Sequence, residues 1–253
     1  MQIEKNTFPK EWYSIATEEH FWMKWRLGAL LLQLSDIGFS LTSSLKGLEV
    51  GSGCGVLHKQ LEKASSWIID GVDLDETALK KEYSKKGKTF IYDINERRTE
   101  LKDSYDFIIL FDVLEHIENE DLFIESVLFH LKEEGHLFIN VPALNVFYSN
   151  FDRSVGHKRR YDKSMIKNIF IKHNCIIENM RYWGMSMLPL LFLRKLVNMK
   201  KEKDTSSIIK NGFKPPNRFF DYIIKKIMSL ELSLLRRPFL GTSLLVAIKK
   251  KKG

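Results

Sequence analysis

The chain has 253 residues, of which 44% are hydrophobic and 28% are charged, a composition typical of soluble globular proteins with a substantial core. No apolar run approaches the roughly 18 residues of a membrane span, and the first residues do not form a secretory signal. The two cysteines, Cys54 and Cys175, suggest neither a disulfide nor a zinc site. We therefore expect a cytoplasmic protein.

The net charge of +8 is unevenly distributed. Residues 1–193 carry 24 basic and 28 acidic side chains, a net charge of −4, whereas residues 194–253 carry 16 basic and 4 acidic side chains, a net charge of +12. Enzymes that act on nucleic acids usually surround the active site with basic residues. The mildly acidic first part of the chain therefore argues against a nucleic-acid substrate.

The hydrophobic pattern predicts alternating helices and strands. The spacing of leucines predicts one or two helices between Phe8 and about Leu34. Seven strands are predicted at about 45–51, 67–73, 88–93, 105–111, 135–141, 176–182 and 243–249. The alternation predicts an α/β fold with a mostly parallel sheet. We divide the chain into helices that cover the cleft (1–40), a cofactor-binding catalytic core (41–183), a helical insertion (184–241) and a last strand with a basic tail (242–253).

The first predicted strand is followed by three alternate glycines, Gly51, Gly53 and Gly55. Glycine lets the backbone bend sharply and lie close against a ligand. The spacing does not fit the dinucleotide motif G-x-G-x-x-G, because its third glycine position is Val56 counted from Gly51 and His58 counted from Gly53. The turn therefore indicates a nucleotide site of a different kind.

Three further predicted strands end in carboxylates, at Asp73, Asp93 and Asp112. Ligands of an open parallel sheet bind outside the carboxyl ends of its strands, so these residues should line one crevice with the glycine turn. A single aspartate in such a place is more often a helix cap. Together with the glycine turn, the three predict a cofactor cleft in which Asp73 accepts the hydroxyls of a ribose.

The pattern Glu-x-Gly-x-Gly-x-Gly, which starts at Glu49, resembles the first motif of class I S-adenosylmethionine-dependent methyltransferases. Residues from about 20 to 182 resemble the small-molecule branch of the methyltransferase-domain family, whose members often belong to polysaccharide or lipid pathways. Two segments, 20–26 and 141–161, are similar to a narrower subgroup. The resemblance implies a Rossmann-like fold with a seven-stranded mostly parallel sheet, helices on both faces, and S-adenosyl-L-methionine as cofactor.

The resemblance also implies roles for individual residues. The glycine turn would contact the methionine part of the cofactor, Asp73 its ribose, Asp93 and Ile94 its adenine, and Asp112 with Val113 its amino acid end. The full set of expected cofactor-binding residues is Glu49, Gly51, Ser52, Gly53, Gly55, Asp73, Leu74, Asp93, Ile94, Asp112, Val113 and His116.

The charged segment 152–162 follows the fifth predicted strand and is too long and too charged for a simple connection. We expect its residues His157, Arg160 and Tyr161 to act on the acceptor. His157 could remove a proton from an oxygen or amine, Arg160 could hold an anionic group, and Tyr161 could close the pocket. The alternative is that Arg160 and Tyr161 only hold this segment against the following helix.

The pattern Asp112-x-x-Glu115-His116 resembles the metal-binding helix of certain RNA and quinone methyltransferases, with His157 as a conceivable further ligand. In most relatives a Leu-Glu-His sequence at this place accompanies no metal. We therefore expect no metal ion.

The insertion between the sixth and seventh strands should emerge at the cofactor end of the sheet, where it is a candidate lid. A helix after Pro215-Pro216 would have one apolar face, formed by Phe220, Ile223, Ile224, Ile227, Met228, Leu230 and Leu234. This face could pack over the substrate pocket, contact a membrane surface through its basic rim, or form a dimer contact. Near the amino end, Phe21, Trp22, Trp25 and Arg26 could line the substrate cleft, although such aromatics are more often core residues.

These patterns predict a methyltransferase that acts on an oxygen or nitrogen of a small or lipid-linked metabolite, as in cell-surface polysaccharide or lipid biosynthesis. Peripheral membrane contact through the insertion is compatible with this prediction. One alternative is an RNA methyltransferase recruited by the basic carboxy-terminal region. The other is a non-catalytic protein that keeps the cofactor fold and binds a membrane or a partner.

Overall fold

The computed structural model describes residues 17–79, 84–198 and 217–253, and for residues 194–198, 218 and 220 it describes the backbone alone. The part of the predicted amino-terminal helices before residue 17 lies outside the described residues, as do residues 199–216 of the predicted insertion, with Pro215-Pro216.

In the described part of the chain, seven strands form one sheet, as predicted. They are β1 (Lys46–Val50), β2 (Ile68–Asp73), β3 (Thr89–Ile91), β4 (Tyr105–Phe111), β5 (Leu131–Pro142), β6 (Cys175–Trp183) and β7 (Ser243–Lys250). Their order in the sheet is β3-β2-β1-β4-β5-β7-β6. Strands β1 to β5 pair in parallel, and β7 runs antiparallel to both of its neighbours. The seven-stranded, mostly parallel sheet expected of a Rossmann-like fold is therefore confirmed.

Helices cover both faces of this sheet. The described helices are α1 (Phe21–Asp36), α2 (Val56–Ala64), α3 (Glu76–Leu79), α4 (Glu120–His130), α5 (Asn150–Ser154), α6 (Lys163–Phe170), α7 (Leu188–Asn198) and α8 (Arg218–Leu234). Short 3₁₀ turns follow several strands, at Ile94–Glu96, Thr99–Leu101, Leu114–His116, Asn145–Phe147 and Met185–Met187.

The hydrophobic core has two halves, one on each face of the sheet. On one face, α4 and α6 bury Ile124, Val127 and Ile166 against β1, β4 and β5. On the other face, α1, α2 and α8 bury large side chains that include Trp25 and Leu57. A three-layer arrangement of this kind fixes the sheet between the helices and leaves the strand ends free to carry a site.

Strand β6 ends and β7 begins at the same edge of the sheet, because Trp183 pairs with Ser243. The insertion therefore leaves the sheet at the carboxyl ends of β1 to β5. Helix α8 packs against α1, where a Cβ atom on Gly28 would lie 2.6 Å from Leu232 Cδ1. Among the described residues no helix is long and apolar enough to cross a membrane.

The predicted apolar face of α8 is divided in the structure. Met228 is buried and Ile224 is partly buried against the core, whereas Ile227, Leu230 and Leu234 are exposed. The reason is a buried carboxylate in the same helix. Glu231 accepts hydrogen bonds from the backbone amides of residues 184, 185 and 186 at 2.8–3.0 Å, which turns the helix so that the side with 224, 228 and 231 faces the sheet.

Candidate active site

The glycine turn after β1 has the conformation that its sequence predicts. Gly51, Gly53 and Gly55 have φ angles of 71°, 53° and 70°, in the left-handed region that favours glycine. A Cβ atom on Gly51 would lie 2.5 Å from Val113 Cγ2. The turn thus has three positions without a Cβ atom, where a ligand can lie close to the backbone. Val113, which follows the neighbouring strand β4, lies directly against the turn.

Asp73, at the end of β2, contacts the same turn. Gly53 N–H donates to its Oδ2 at 2.7 Å, and Asp75 N–H donates to its Oδ1 at 2.9 Å. Burial raises the pKa of Asp73, and these backbone hydrogen bonds oppose that rise. A carboxylate has about four lone-pair positions. The carboxylate can therefore accept further hydrogen bonds, as the predicted contact with a ribose requires.

The predicted adenine-binding residues lie beside Asp73. Ile91, the last residue of β3, pairs with Asp73, and Asp93 follows two residues later. The Asp93 side chain accepts a hydrogen bond from Asn95 N–H at 2.9 Å, while Ile94 is buried in the core. Leu74 is 54% exposed. The carboxyl ends of β1, β2 and β3 thus form one continuous edge, as expected for a nucleoside site.

Glu49 and Ser52 of the predicted cofactor set are both buried. Oε2 of Glu49 lies 3.5 Å from Nδ1 of the buried His58, and Nε2 of His58 lies 3.4 Å from Glu62 Oε1. Burial alone would lower the pKa of His58, but the two glutamates outweigh it and raise that pKa. No sequence pattern pointed to His58, whose ring lies between Glu49 and Glu62.

Asp112, after β4, is the centre of a hydrogen-bond network. Arg26 Nη1 donates to its Oδ2 at 2.6 Å, and Asn140 Nδ2 donates to its Oδ1 at 2.7 Å. Asn140 Oδ1 accepts from Trp183 Nε1 at 2.9 Å. Asp112 has a φ of 59°, a left-handed conformation that aspartate tolerates better than most residues. The network joins α1, β4, β5 and β6 at the cofactor end of the sheet.

Beyond Asp112, three predicted residues meet. Glu115, His116 and His157 each offer one ligand or proton-accepting atom, and these atoms all lie within 4.8 Å of one another. The two imidazole centroids are 5.0 Å apart. His157 Nδ1 lies 3.1 Å from Asp152 Oδ1, and its Nε2 lies 3.7 Å from Glu115 Oε1. This arrangement could position a proton acceptor or coordinate a metal ion.

Burial controls the charges in this group. It raises the pKa of Glu115 well above its ordinary value, with Asp112 adding to the rise. It lowers the pKa of His116 to about 4, and the neighbouring His157 adds to that effect. For Asp152, burial alone would raise the pKa, but the hydrogen bond from His157 and the charge of Arg160 outweigh it and lower that pKa. His116 is therefore neutral and Asp152 ionised near neutral pH.

Arg160 and Tyr161 do not face open solvent. Arg160 is 4% exposed, and it donates to Asp152 Oδ1 at 2.8 Å and to the Ala143 carbonyl at 3.2 Å. Tyr161 is fully buried, and its hydroxyl lies 3.0 Å from the carbonyl oxygen of Leu114. These positions favour the alternative that both residues hold segment 152–162 in place, since neither side chain is free to meet an acceptor.

Two other basic residues of this segment, Lys158 and Arg159, also form ion pairs. Lys158 Nζ lies 3.3 Å from Glu118 Oε2, and Arg159 Nη1 lies 2.6 Å from Glu120 Oε2. With Arg160 bound to Asp152, each cation of the run Lys158-Arg159-Arg160 has a carboxylate partner. The run looks in the sequence like a site for an anion, but in the structure it fastens the segment to residues 118–120 and to its own first turn.

The aromatic residues of α1 pack against the core, with Phe21 and Trp22 partly buried at its edge. Trp25 is buried and meets Trp183 edge to face at 5.4 Å, whereas Trp22 is half-buried, 4.8 Å from the same ring. Trp25 is therefore a core residue, and Arg26 is the residue of this helix that reaches the site. Asn140 and Trp183 were missed as members of the site because each acts through a partner distant in the chain. Asp152 was missed although its partners His157 and Arg160 lie only five and eight residues away.

The comparisons with known proteins agree with this geometry. The methyltransferase domain family matches residues 19–192. No curated protein matches the chain. Among solved structures, a putative sarcosine dimethylglycine methyltransferase from Galdieria sulphuraria has a TM-score of 0.57 at 16% identity, over 88% of this chain and 85% of that one.

Two further structures are similar. A putative methyltransferase complexed with the Trm112 activator from Haloferax volcanii has a TM-score of 0.57 at 11% identity, over 87% of this chain and 89% of that one. Phosphoethanolamine N-methyltransferase 2 from Haemonchus contortus, with S-adenosyl-L-methionine bound, has a TM-score of 0.54 at 16% identity, over 88% of this chain and 52% of that one. At these identities the structures show the fold, and the family match shows the class. The chain belongs to the methyltransferase domain family and is an enzyme that uses S-adenosyl-L-methionine as its cofactor.

Proposed function

We propose that the methyl acceptor is an oxygen or nitrogen atom of a small or lipid-linked metabolite, in the biosynthesis of a cell-surface polysaccharide or lipid. Methyl transfer from a sulfonium is a displacement at carbon, so the enzyme mainly has to align a lone pair of the acceptor with the methyl group. The residues beyond Asp112, namely Glu115, His116 and His157, are the candidates for the acceptor side.

The observation that carries this proposal is the pairing of the basic residues around the site. Arg26, Arg159 and Arg160 each form an ion pair with a carboxylate of the same region. A nucleic acid needs cations that can neutralise its phosphates, and these three are already neutralised. An uncharged hydroxyl or an amine suits such surroundings better than a polyanion does.

Two of the similar structures are described as enzymes with amine acceptors. One is a putative sarcosine dimethylglycine methyltransferase and the other a phosphoethanolamine N-methyltransferase. Both descriptions support an acceptor atom of the proposed kind, without identifying the acceptor of this chain.

The exposed side of α8 supports a lipid-linked acceptor. Ile227, Leu230 and Leu234 share one side of the helix at a spacing of three and four residues and are 44–75% exposed. Phe239 beyond the helix is 76% exposed, and the neighbouring Arg236 and Arg237 are exposed as well. An apolar surface with adjacent cations suits a lipid carrier with an anionic headgroup. We propose that this insertion acts as a lid over the acceptor and contacts the carrier.

Methyl-label transfer in a cell extract tests the proposal. Labelled S-adenosyl-L-methionine is added with the purified protein, and the label is counted in lipid, RNA and small-molecule fractions. We expect label in the lipid or small-molecule fraction. An Asp73→Asn variant, which changes the carboxylate that accepts from Gly53 N–H and is proposed to hold the cofactor ribose, is the control for label that the extract transfers by itself.

Label found mainly in the RNA fraction would overturn the proposed acceptor class. The proposal that the acceptor is lipid-linked is tested separately. The protein is sedimented with vesicles of zwitterionic lipid, with and without anionic lipid. A Leu230→Ser/Leu234→Ser variant should lose binding to the anionic vesicles, and Ile171→Ser, which changes an 85% exposed apolar residue at the end of α6, should not. Equal sedimentation of all three proteins would contradict a role for this surface.

A further inference from the structure

The site contains a buried carboxylate whose surroundings are incomplete. Glu115 is 1% exposed, and neither its Oε1 nor its Oε2 has a hydrogen-bond partner among the described residues. Burial of a carboxylate without partners is costly. A fold that keeps such a group usually has a ligand or a chemical use for it.

Two histidines lie at the same place. Nε2 of His157 is 3.7 Å from Glu115 Oε1, and the candidate ligand atoms of Glu115, His116 and His157 all lie within 4.8 Å of one another. In a tetrahedral zinc site the ligand atoms are about 3.4 Å apart, since zinc–nitrogen bonds are about 2.0–2.1 Å long. Small side-chain rotations would bring all three atoms to that separation.

The hydrogen bonds of the two imidazoles indicate which nitrogen would bind. His116 Nδ1 lies 3.2 Å from the carbonyl oxygen of Gly156, which can only accept, so Nδ1 carries the proton. His157 Nδ1 faces Asp152 Oδ1 at 3.1 Å, and the same assignment follows. In both rings Nε2 then has the lone pair. Metal-binding histidines are usually oriented in this way, through a carbonyl or a carboxylate on the other nitrogen.

The backbone holds these groups in position. His157 N–H donates to the Asp152 carbonyl at 2.8 Å, and the His157 carbonyl accepts from the Tyr148 hydroxyl at 2.8 Å. Lys158 N–H donates to the Glu115 carbonyl at 2.7 Å. The segment with His157 is therefore fixed directly to the turn with Glu115 and His116, as a preformed site requires.

We propose that Glu115, His116 and His157 form a binding site for one divalent transition-metal ion. Two imidazoles and one carboxylate suit zinc, whereas magnesium and calcium prefer oxygen ligands alone. Three protein ligands leave the fourth position of a zinc ion for water or an oxygen of the acceptor. A metal-bound Nε2 has no lone pair for a proton, so this site excludes His157 as a general base. The prediction from the sequence that the site holds no metal ion would then be wrong.

Direct binding tests the site without any methyl transfer, so its outcome does not depend on the proposed acceptor. The purified full chain is treated with a chelator, and zinc binding is measured by calorimetry and by elemental analysis after gel filtration. We expect one zinc ion per chain, with magnesium failing to compete. Cobalt bound in place of zinc should give the strong visible absorption of a tetrahedral centre.

Matched variants identify the ligands. Glu115→Gln and His157→Gln should each weaken zinc binding at least tenfold. His136→Gln should not, although His136 Nε2 also lies near a carboxylate, 3.1 Å from Glu178 Oε2. A Cys54→Ser/Cys175→Ser variant should retain the zinc, which excludes binding by the thiols. Circular dichroism confirms that each variant is folded.

Wild-type protein that binds no zinc would overturn the proposal. So would zinc binding that Glu115→Gln, His157→Gln and a third variant, His116→Gln, all leave unchanged. If one of these variants fails to fold, the remaining two and the cobalt spectrum of the wild type still decide between the outcomes.

Discussion

Arg26 and Asp112 are 86 residues apart in the chain and meet at 2.6 Å, Nη1 to Oδ2, at the carboxyl end of β4. The Arg26 side chain is 10% exposed and that of Asp112 is 40% exposed. The pair lies beside Val113, which lies in turn against the glycine turn. Helix α1 thus contributes directly to the part of the site expected to hold the amino acid end of the cofactor.

An Arg26→Gln variant should weaken cofactor binding and lower stability. The loss of a hydrogen bond to a charged group costs about 1.5–3 kcal/mol, and the exposure of Asp112 places the expected loss near the lower figure. Urea unfolding and calorimetry with S-adenosyl-L-methionine measure the two effects. Lys24→Met, which removes an exposed ion pair with Glu19 from the same helix, should change neither by more than about 0.5 kcal/mol.

A Gly51→Ala variant should abolish most cofactor binding. Its Cβ would collide with Val113 Cγ2 at 2.5 Å, at a φ of 71°. Gly38→Ala is the matched control, because Gly38 has a φ of 67° and no atom within 4 Å of its Cβ position. The control should lose about 1–2 kcal/mol of stability from the left-handed conformation alone, with cofactor affinity unchanged. Equal cofactor affinities of the two variants would contradict the role of the turn.

A Glu231→Ala variant should destabilise the junction between β6 and the insertion. Three backbone amides at residues 184–186 lose their common acceptor, which should lower the free energy of unfolding by about 3 kcal/mol. Hydrogen exchange should become faster at these amides first. Ser233→Ala, in an exposed part of the same helix, should remain within about 0.5 kcal/mol of the wild type.

His130 should make the protein less stable as the pH falls below about 6.5. The ring is buried, with Nδ1 2.7 Å from the Ser126 carbonyl oxygen and Nε2 2.7 Å from the Tyr92 hydroxyl. Burial lowers the pKa of His130, so the unfolded chain binds the proton more readily than the folded one. The contribution of neutral His130 to the free energy of unfolding is complete above pH 6.5. It is lost as the pH falls toward the pKa that His130 has in the folded protein.

The measurement is the free energy of unfolding in urea between pH 5 and pH 7, for the wild type and for His130→Gln. Other histidines titrate in the same range, so the difference between the two proteins isolates His130. That difference should decrease as the pH falls. A difference independent of pH would show that His130 does not carry the effect.

The sequence predicts the glycine turn, the aspartates after the strands and the seven strands, because each depends on a short stretch of residues. Positive φ angles favour glycine locally, and a buried strand requires a run of apolar residues. The pairing of Arg26 with Asp112 has no local signal of this kind. The pair forms because α1 packs across the sheet. A single sequence does not predict which basic residue pairs with which carboxylate over such a distance in the chain.

Segment 152–162 shows the same limit within a few residues. His157, in the sequence only a conceivable further ligand beside Glu115 and His116, lies near both of them in the structure, while the basic run beside it suggested an anion site. In the structure Asp152 accepts from both His157 and Arg160. The positive charge of Arg160, which the sequence suggested for binding an anion, is therefore already paired with a carboxylate. The apolar pattern of α8 predicted a single apolar face, because nothing in it indicated that Glu231 would be buried.

The anchoring of residues 184–186 by Glu231 has a consequence for any opening of the acceptor side. A hinge needs backbone torsions that can change freely, and these three amides are tied to a helix that itself packs against α1 near Gly28. Helix α8 and the first turn after β6 therefore move with the sheet, and any movement within the insertion has to begin after Met187.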